Sequence, residues 1–497
     1  MKENNKVSRR GFLGTSAAAA AAITILPSNT IAGLGHRAPS DKLNIAAVGI
    51  GGMGHGNLKN LKSENIVGLC DVDWKYADNC FKEFPEAKKY KDWRVMYDEL
   101  GKSIDGVLVA TADHTHAIIA SHAITMGKAV YCQKPLTHTV YESRLLTKLA
   151  AKYDVATQMG NQGSSAEGVN LTCEWLANGA IGEVTKVEAF TDRPIWPQGL
   201  NTPKETPAVP STLDWDLFTG PAKVIPYNPL YHPWNWRGWW AYGTGALGDM
   251  ACHILHPVFV GLELGYPVKA QGNSTLLLQD CAPTAQAVKL TFPARSPKKA
   301  MKIKLPQVEV YWFDGGIKPM LPAMWPAGKN PNDQGGCVFF HGTKGILVCG
   351  CYGVNPWILR PDGKVEKPEA PKFRRRVTLS HEMDWVRAAK ETPKSRVMTA
   401  SDFSLSGPFN EMVVMGVLAV RLSTLNKELN WDGPAMKFTN ITDAEQIKIV
   451  VEDKFSIHDG HPTFDKVYTD AVPATKFAEE LIKHTYRAPW TLPDMPA

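Results

Sequence analysis

The sequence predicts an α/β protein. A doubly wound parallel sheet comes first, followed by an α+β domain built on a large, mainly antiparallel open sheet. Three observations carry this prediction. An apolar run over residues 43–48 ends in a glycine cluster. From there to about residue 160, short apolar runs alternate with amphipathic stretches, the pattern of right-handed β–α–β crossovers. Beyond about residue 165 the apolar period shortens to two, as in strands with one covered face.

Each element follows from local signals. Gly49, Gly51 and Gly54 have G-x-G-x-x-G spacing. Such glycines allow a tight turn, let backbone approach a pyrophosphate and let helix pack on strand. The pyrophosphate would rest on the helix N-terminus, where the dipole favours negative charge. Ile50, Gly52 and Met53 complete this loop as cofactor contacts. A second apolar run, residues 66–70, ends in Asp71, at about the 20-residue spacing of a ribose-binding acid. A carboxylate there would repel a 2′-phosphate, which favours NAD over NADP. Residues 40–165 therefore read as a Rossmann domain. Within it, helices are expected over 74–84, 93–100 and 141–153. Strands are expected over 106–110, 129–132 and 155–159, and a further helix through Ala123 is closed by Gly127. Ligand chemistry belongs at the strand ends, where Asp71, Thr111 and Lys134 fall.

Residues 166–497 form the second domain, with the final segment expected to pack back on the first. A helix over 168–178 precedes strands at 184–190, 287–292, 308–313 and 346–349. Between them, roughly 193–244, lies a long loop rich in Pro, Trp and Tyr, and loops of this length are usually functional. Its aromatics suit stacking on sugar rings, or packing the loop onto the sheet. Trp196, Tyr231, His232, Trp236 and Arg237 are the candidate substrate contacts.

Composition excludes some classes. Hydrophobic content of 44% and charged content of 21% are ordinary for a globular protein. The net charge of +6 is small, and only Arg374-Arg375-Arg376 forms a basic run, so no nucleic-acid partner is expected. Nine cysteines show no metal-finger spacing, and no metal is expected; a disulfide stays open. The N-terminus reads differently. Ser8-Arg9-Arg10-Gly11-Phe12-Leu13 resembles a twin-arginine export signal, and the apolar stretch 17–26 is shorter than the ~20 residues that span a bilayer. With Thr30-Ile31-Ala32 as cleavage site, residues 1–32 are the expected signal peptide. A periplasmic mature form without a membrane span follows.

The chemistry-bearing residues lie at two places. Lys134, in Gln133-Lys134-Pro135, closes a strand and could hydrogen-bond a substrate hydroxyl and stabilise developing alkoxide charge. Asp249 and His253 stand at i and i+4, on one helical face. Such a carboxylate can orient an imidazole that moves a proton. Read without Lys134, the pair is better taken as a capping aspartate and a packed histidine.

Together these motifs resemble the Gfo/Idh/MocA oxidoreductases, over nearly all of the mature chain. The marks are residues 49–54, Asp71, the run 110–116, Gln133-Lys134-Pro135 and Asp249 with His253. Residues 158–163, 214–216 and 236–240 resemble an exported branch of that family. The resemblance implies that NAD is also held by Thr111, Asp113, His116, Gln133, Lys134, Asn161 and Gln162. It implies that His253 is the base, Asp249 its support, and Lys134 the residue that holds the hydroxyl. Two positions depart from the family: Gln133 replaces a usual glutamate, and Asp113 a usual asparagine. The implied activity is oxidation of a secondary hydroxyl of a sugar, glycoside or cyclitol by hydride transfer to nicotinamide. The alternatives are a redox-neutral NAD-dependent glycosidase and a non-catalytic sugar-binding protein. The resemblance also implies self-association through the open sheet face.

Overall fold

The computed structural model describes residues 41–297 and 301–497. The expected signal peptide, residues 1–32, lies outside them. The first domain runs β1 (Asn44–Val48), α1 (Met53–Asn60), β2 (Asn65–Cys70), α2 (Asp78–Glu83), β3 (Lys88–Tyr90), α3 (Trp93–Leu100), β4 (Gly106–Val109), α4 (Asp113–Thr125), β5 (Ala129–Cys132), α5 (Val140–Tyr153) and β6 (Thr157–Met159). Six parallel strands lie in the order β3-β2-β1-β4-β5-β6. Strands β4 and β5 are buried along their whole length, because helices cover both faces. A capping box starts α5: Thr139 Oγ1 accepts from the Glu142 amide, and Glu142 Oε2 from the Thr139 amide. Helix α2 is shorter than expected. Asp73 Oδ1 accepts from the Lys75 amide at 3.1 Å, which holds the start of that stretch in a turn.

In the second domain, α6 (Glu167–Ala177) leads into β7 (Val184–Thr191). The long loop that follows holds only α7 (Trp215–Thr219) and a 3-10 turn, Asn235–Gly238. Then come α8 (Gly245–Ile254), α9 (His256–Gly261), β8 (Lys269–Ser274), β9 (Gln286–Phe292), β10 (Val308–Phe313), β11 (Gly336–Gly342), β12 (Gly345–Gly350), β13 (Trp357–Leu359) and β14 (Val365–Glu366). Helices α10 (His381–Lys390) and α11 (Phe403–Arg421) precede β15 (Leu429–Asp432), β16 (Lys437–Phe438), β17 (Gln446–Ile447), β18 (Val450–His458), β19 (His461–Tyr468), β20 (Val472–Pro473) and α12 (Ala474–Ile482).

Ten strands form one sheet, β14-β13-β12-β11-β7-β10-β9-β8-β15-β16. It is antiparallel except for the β7–β10 pair. Val308, Val310 and Trp312 of β10 point inward, and Glu309 and Tyr311 outward. The outer face is polar. Lys186 pairs with Glu188 at 2.7 Å and Lys289 with Glu428 at 2.8 Å.

Helix α11 is long and apolar enough to cross a membrane, yet 83% of its most apolar window is buried inside the protein. It packs between α5 and the second sheet, and a bidentate pair, Arg144 to Glu411 at 2.7 Å, ties it to α5. After α12 the chain returns to the first domain. The Tyr486 hydroxyl donates to Glu142 Oε1 at 2.7 Å. The Trp490 ring lies 6.3 Å from that of Trp93, with the Arg94 guanidinium 4.3 Å over it. All nine cysteines are buried.

Candidate active site

A cleft of about 430 Å³ separates the glycine loop from the second domain, within the size range of small-molecule sites. It runs from Asp71, Trp93 and Trp490 at one end to Lys134, Asp249 and His253 at the other. The loop fits a dinucleotide. Gly49 has φ +79°, and a Cβ there would lie 2.6 Å from the Ala110 carbonyl group. A Cβ on Gly54 would lie 2.1 Å from the Gly49 oxygen. Only glycine permits this approach of α1 to β1, which leaves the loop backbone facing the cleft. Asp71 sits beside it. Its Oδ2 accepts from the amides of Ile50 at 2.8 Å and Gly51 at 3.0 Å. Burial raises its pKa, and the backbone hydrogen bonds work against that rise.

At the far end, Lys134 Nζ lies 2.8 Å from Asp249 Oδ1 and also donates to the Asp249 carbonyl at 3.1 Å. Arg237 Nε donates to the same Oδ1 at 3.1 Å. The Arg237 guanidinium is stacked 3.9 Å from the Trp234 ring and 4.3 Å from the Trp236 ring. Burial alone would raise the Asp249 pKa, but the Lys134 and Arg237 cations outweigh it and hold the carboxylate well below its usual range. One turn on, burial and then the Lys134 cation push the His253 pKa well below its ordinary value, so the imidazole is neutral. Asp249 thus contacts two cations rather than the imidazole. The His253 ring instead meets Tyr352, with centroids 4.6 Å apart.

Among the expected cofactor residues, Gly49, Gly51, Gly52, Met53, Asp71, Thr111, Gln133, Lys134 and Gln162 line the cleft. The others stand behind its wall. Ile50 gives its amide to Asp71, and Gly54 is packed against Gly49. Asp113 begins α4 and turns away to accept from Thr244 Oγ1 at 2.8 Å. His116 bridges the carbonyls of Pro135, at 2.8 Å, and Thr111, at 3.1 Å, which ties two strand ends together. Asn161 Nδ2 donates to the Cys252 carbonyl of α8 at 3.3 Å. Among the substrate candidates, Trp196, His232, Trp236 and Arg237 line the cleft. Tyr231 does not. It packs edge-on against Trp239, with centroids 4.7 Å apart, in a buried aromatic cluster. His232 Nε2 lies 3.0 Å from Asp73 Oδ2, so this loop is anchored directly on the first domain.

Sequence reasoning missed Tyr76, Arg193, Tyr352 and Trp490, all of which line the cleft. The Tyr76 ring covers Gly51. Tyr352 holds φ +63°, a left-handed conformation that non-glycine residues keep only where the surroundings enforce it. No short motif announces any of the four.

Residues 43–161 match the NAD-binding Rossmann domain of the Gfo/Idh/MocA oxidoreductase family. Residues 176–294 match that family's C-terminal α/β domain. The two matches are to successive domains of one family, the Gfo/Idh/MocA oxidoreductases. A levoglucosan dehydrogenase from Pseudarthrobacter phenanthrenivorans is 25% identical over 187 residues, 38% of this chain and 40% of that protein. A glucose-6-phosphate 3-dehydrogenase from Bacillus subtilis is 24% identical over 147 residues, 29% of this chain and 41% of that protein. The chain thus spans about 40% of the length of these curated relatives. The WlbA dehydrogenase from Bordetella pertussis, solved with NADH and UDP-GlcNAcA, superposes with a TM-score of 0.51 at 14% identity. That match covers 79% of this chain and 99% of the other, a likeness of fold.

The two departures from the Gfo/Idh/MocA pattern have structural counterparts. Gln133 Nε2 donates to Asn57 Oδ1 at 2.8 Å, and Asn57 Nδ2 to Glu382 Oε1 at 2.8 Å. An acid is therefore present two hydrogen bonds away, on α10. Asp113 is driven up to about 7 by burial, against the opposing hydrogen bond from Thr244. Burial thus favours its neutral carboxyl, which approaches the uncharged asparagine expected there.

Proposed function

We propose that this chain oxidises a secondary hydroxyl of a sugar, glycoside or cyclitol, with NAD as hydride acceptor. One observation carries the reading: Lys134, Asp249 and His253 meet in the same cleft as the glycine loop. Bound NAD would supply the hydride-accepting nicotinamide. The residues do the rest. Asp249 and Arg237 fix the Lys134 ammonium, which donates a hydrogen bond to the substrate oxygen and stabilises its growing negative charge. The neutral His253 receives the hydroxyl proton. Trp196, Trp234 and Trp236 line the cleft where a sugar ring would sit. Dehydrogenases among the relatives are named for levoglucosan, glucose 6-phosphate and inositol, two carbohydrates and a cyclitol.

The test is to assay the purified protein for bound NAD(H) and then follow nicotinamide reduction across a panel of sugars, glycosides and cyclitols. Substrate-dependent reduction is expected, with NAD bound more tightly than NADP at one ionic strength, because Asp71 opposes a 2′-phosphate. Release of free sugar without net reduction would overturn the dehydrogenase reading. Equal NADP affinity would overturn the assignment of Asp71.

We further propose export by the twin-arginine route. Changing both Arg9 and Arg10 to Lys is expected to retain the protein in the cytoplasm. Normal arrival of this variant in the periplasm would remove the signal assignment.

A further inference from the structure

A second cavity, of about 410 Å³, lies behind the active-site wall, between the end of α11, helix α12 and the loop around Trp240. At its wall stands Arg421, the last residue of α11. The Arg421 guanidinium lies 4.9 Å from the Trp240 ring centroid and 5.6 Å from that of Phe477. Burial pushes its pKa down to about 10, which leaves it charged at neutral pH. Among the described residues it makes no ion pair, and its buried Nε has no hydrogen-bond partner. The buried Trp240 Nε1–H likewise has none; the unpartnered His114 Nδ1 is a lone pair, because Nε2 carries the proton shared with the Phe218 carbonyl at 3.0 Å. All three residues line this one cavity.

The nearby carboxylates are occupied elsewhere. Glu142 accepts from the Tyr486 hydroxyl at 2.7 Å and from the amides of His138 and Thr139, both at 3.0 Å. Asp280 accepts from Thr202 Oγ1 at 2.6 Å. Glu480 accepts from the amide and hydroxyl of Thr485, both at 2.8 Å. The Arg421 side chain is partly buried with its Nε unpartnered, and Asp280 acts on its charge without contacting it; the cation–π contacts and the C-terminal dipole of α11 offset part of the cost of its desolvation. Two further imidazoles, His138 and His484, sit with ring centroids 4.8 Å apart at the same wall. Burial holds both below the ordinary histidine range, so they stay neutral; the His138 Nε2–H is already given to the Gly243 carbonyl at 3.1 Å, which leaves the His484 N–H as the one available to a ligand.

We infer that this cavity is a binding site for a small-molecule oxyanion, a carboxylate or a phosphate, held on the Arg421 guanidinium. A guanidinium presents paired donors that match either group. The Trp240 indole N–H adds a donor, and the Trp240 and Phe477 rings an apolar wall. The site is separate from the catalytic cleft, but His114 lines both. An occupant would therefore lie one side chain away from the cleft.

Calorimetric titration of the full-length, NAD-loaded protein tests this, with inorganic phosphate in one arm and malonate in the other. Chloride holds the ionic strength constant. Saturable binding of at least one anion is expected, and the tighter arm identifies the natural group. Arg421→Gln is expected to weaken it by about tenfold or more, the worth of a lost charged hydrogen bond, with NAD content unchanged. If Arg421→Gln fails to fold, Trp240→Phe serves, and a several-fold weakening is expected from its lost donor. No binding in either arm, or equal binding by the folded variant, would overturn the inference.

Discussion

His253→Ala is expected to lower turnover of a sugar substrate by about 10²–10⁴-fold, the usual worth of a positioned acid–base group. NAD affinity should barely change, since His253 comes from α8, across the cleft from the glycine loop. The imidazole also fixes a pH signature. The active form is neutral, and burial with the Lys134 cation lowers the pKa. The acidic limb of kcat/KM should therefore lie below the ordinary histidine range near 6.5. Lys134→Met should also cost turnover, by removing the hydrogen bond to the developing alkoxide. Arg237 would still partner Asp249 in that variant, so the fold should survive. Because both residues act on one proton, the double variant should lose less than the sum of the two free-energy changes. Near-normal turnover by a folded, NAD-loaded His253→Ala would refute the assignment.

The second large effect concerns stability. Asp249→Asn would leave Lys134 and Arg237 facing each other in a buried site without their shared anion. Removing one member of such a buried set costs about 3–5 kcal/mol, to be read from denaturant unfolding at neutral pH. The linkage has a definite sign. The folded pKa of Asp249 is depressed, so its contribution is present above its unfolded pKa of about 4 and is lost as pH falls below that value. Wild type and variant should therefore converge in stability as the solution is acidified. A constant gap down to strongly acid pH would show that the pair is not the source.

What the sequence disclosed tracks what is local in the chain. Gly49 to Gly54, Asp71 and Lys134 were legible because glycine spacing and strand ends are written in adjacent residues. Asp249 and His253 were legible because four residues make one helical turn. Facing was harder. Asp113 and His116 follow Thr111 by two and five residues, but α4 begins there and carries them inward, to Thr244 and Pro135. Asp249 was legible as a site residue, but its contacts with Lys134 and Arg237 rather than the imidazole were not. Tyr231 shares a loop with Trp236, and only packing separates a core aromatic from a cleft aromatic. Tyr76, Tyr352 and Trp490 arrive from segments far apart in the chain, where no periodicity links them.

The Trp490 contact bears on the order of events during synthesis. The Rossmann strands leave the ribosome early, and by pattern they look sufficient to hold a nucleotide. Yet Trp490, which lines the cleft, meets Trp93 at a tilt and lies under the Arg94 guanidinium, emerges hundreds of positions later. His232, which reaches Asp73 beside the glycine loop, also emerges well after the first sheet. A nascent first domain therefore has its glycine loop but lacks these two walls. Cofactor capture in its final form belongs to the finished chain, after the second domain has docked.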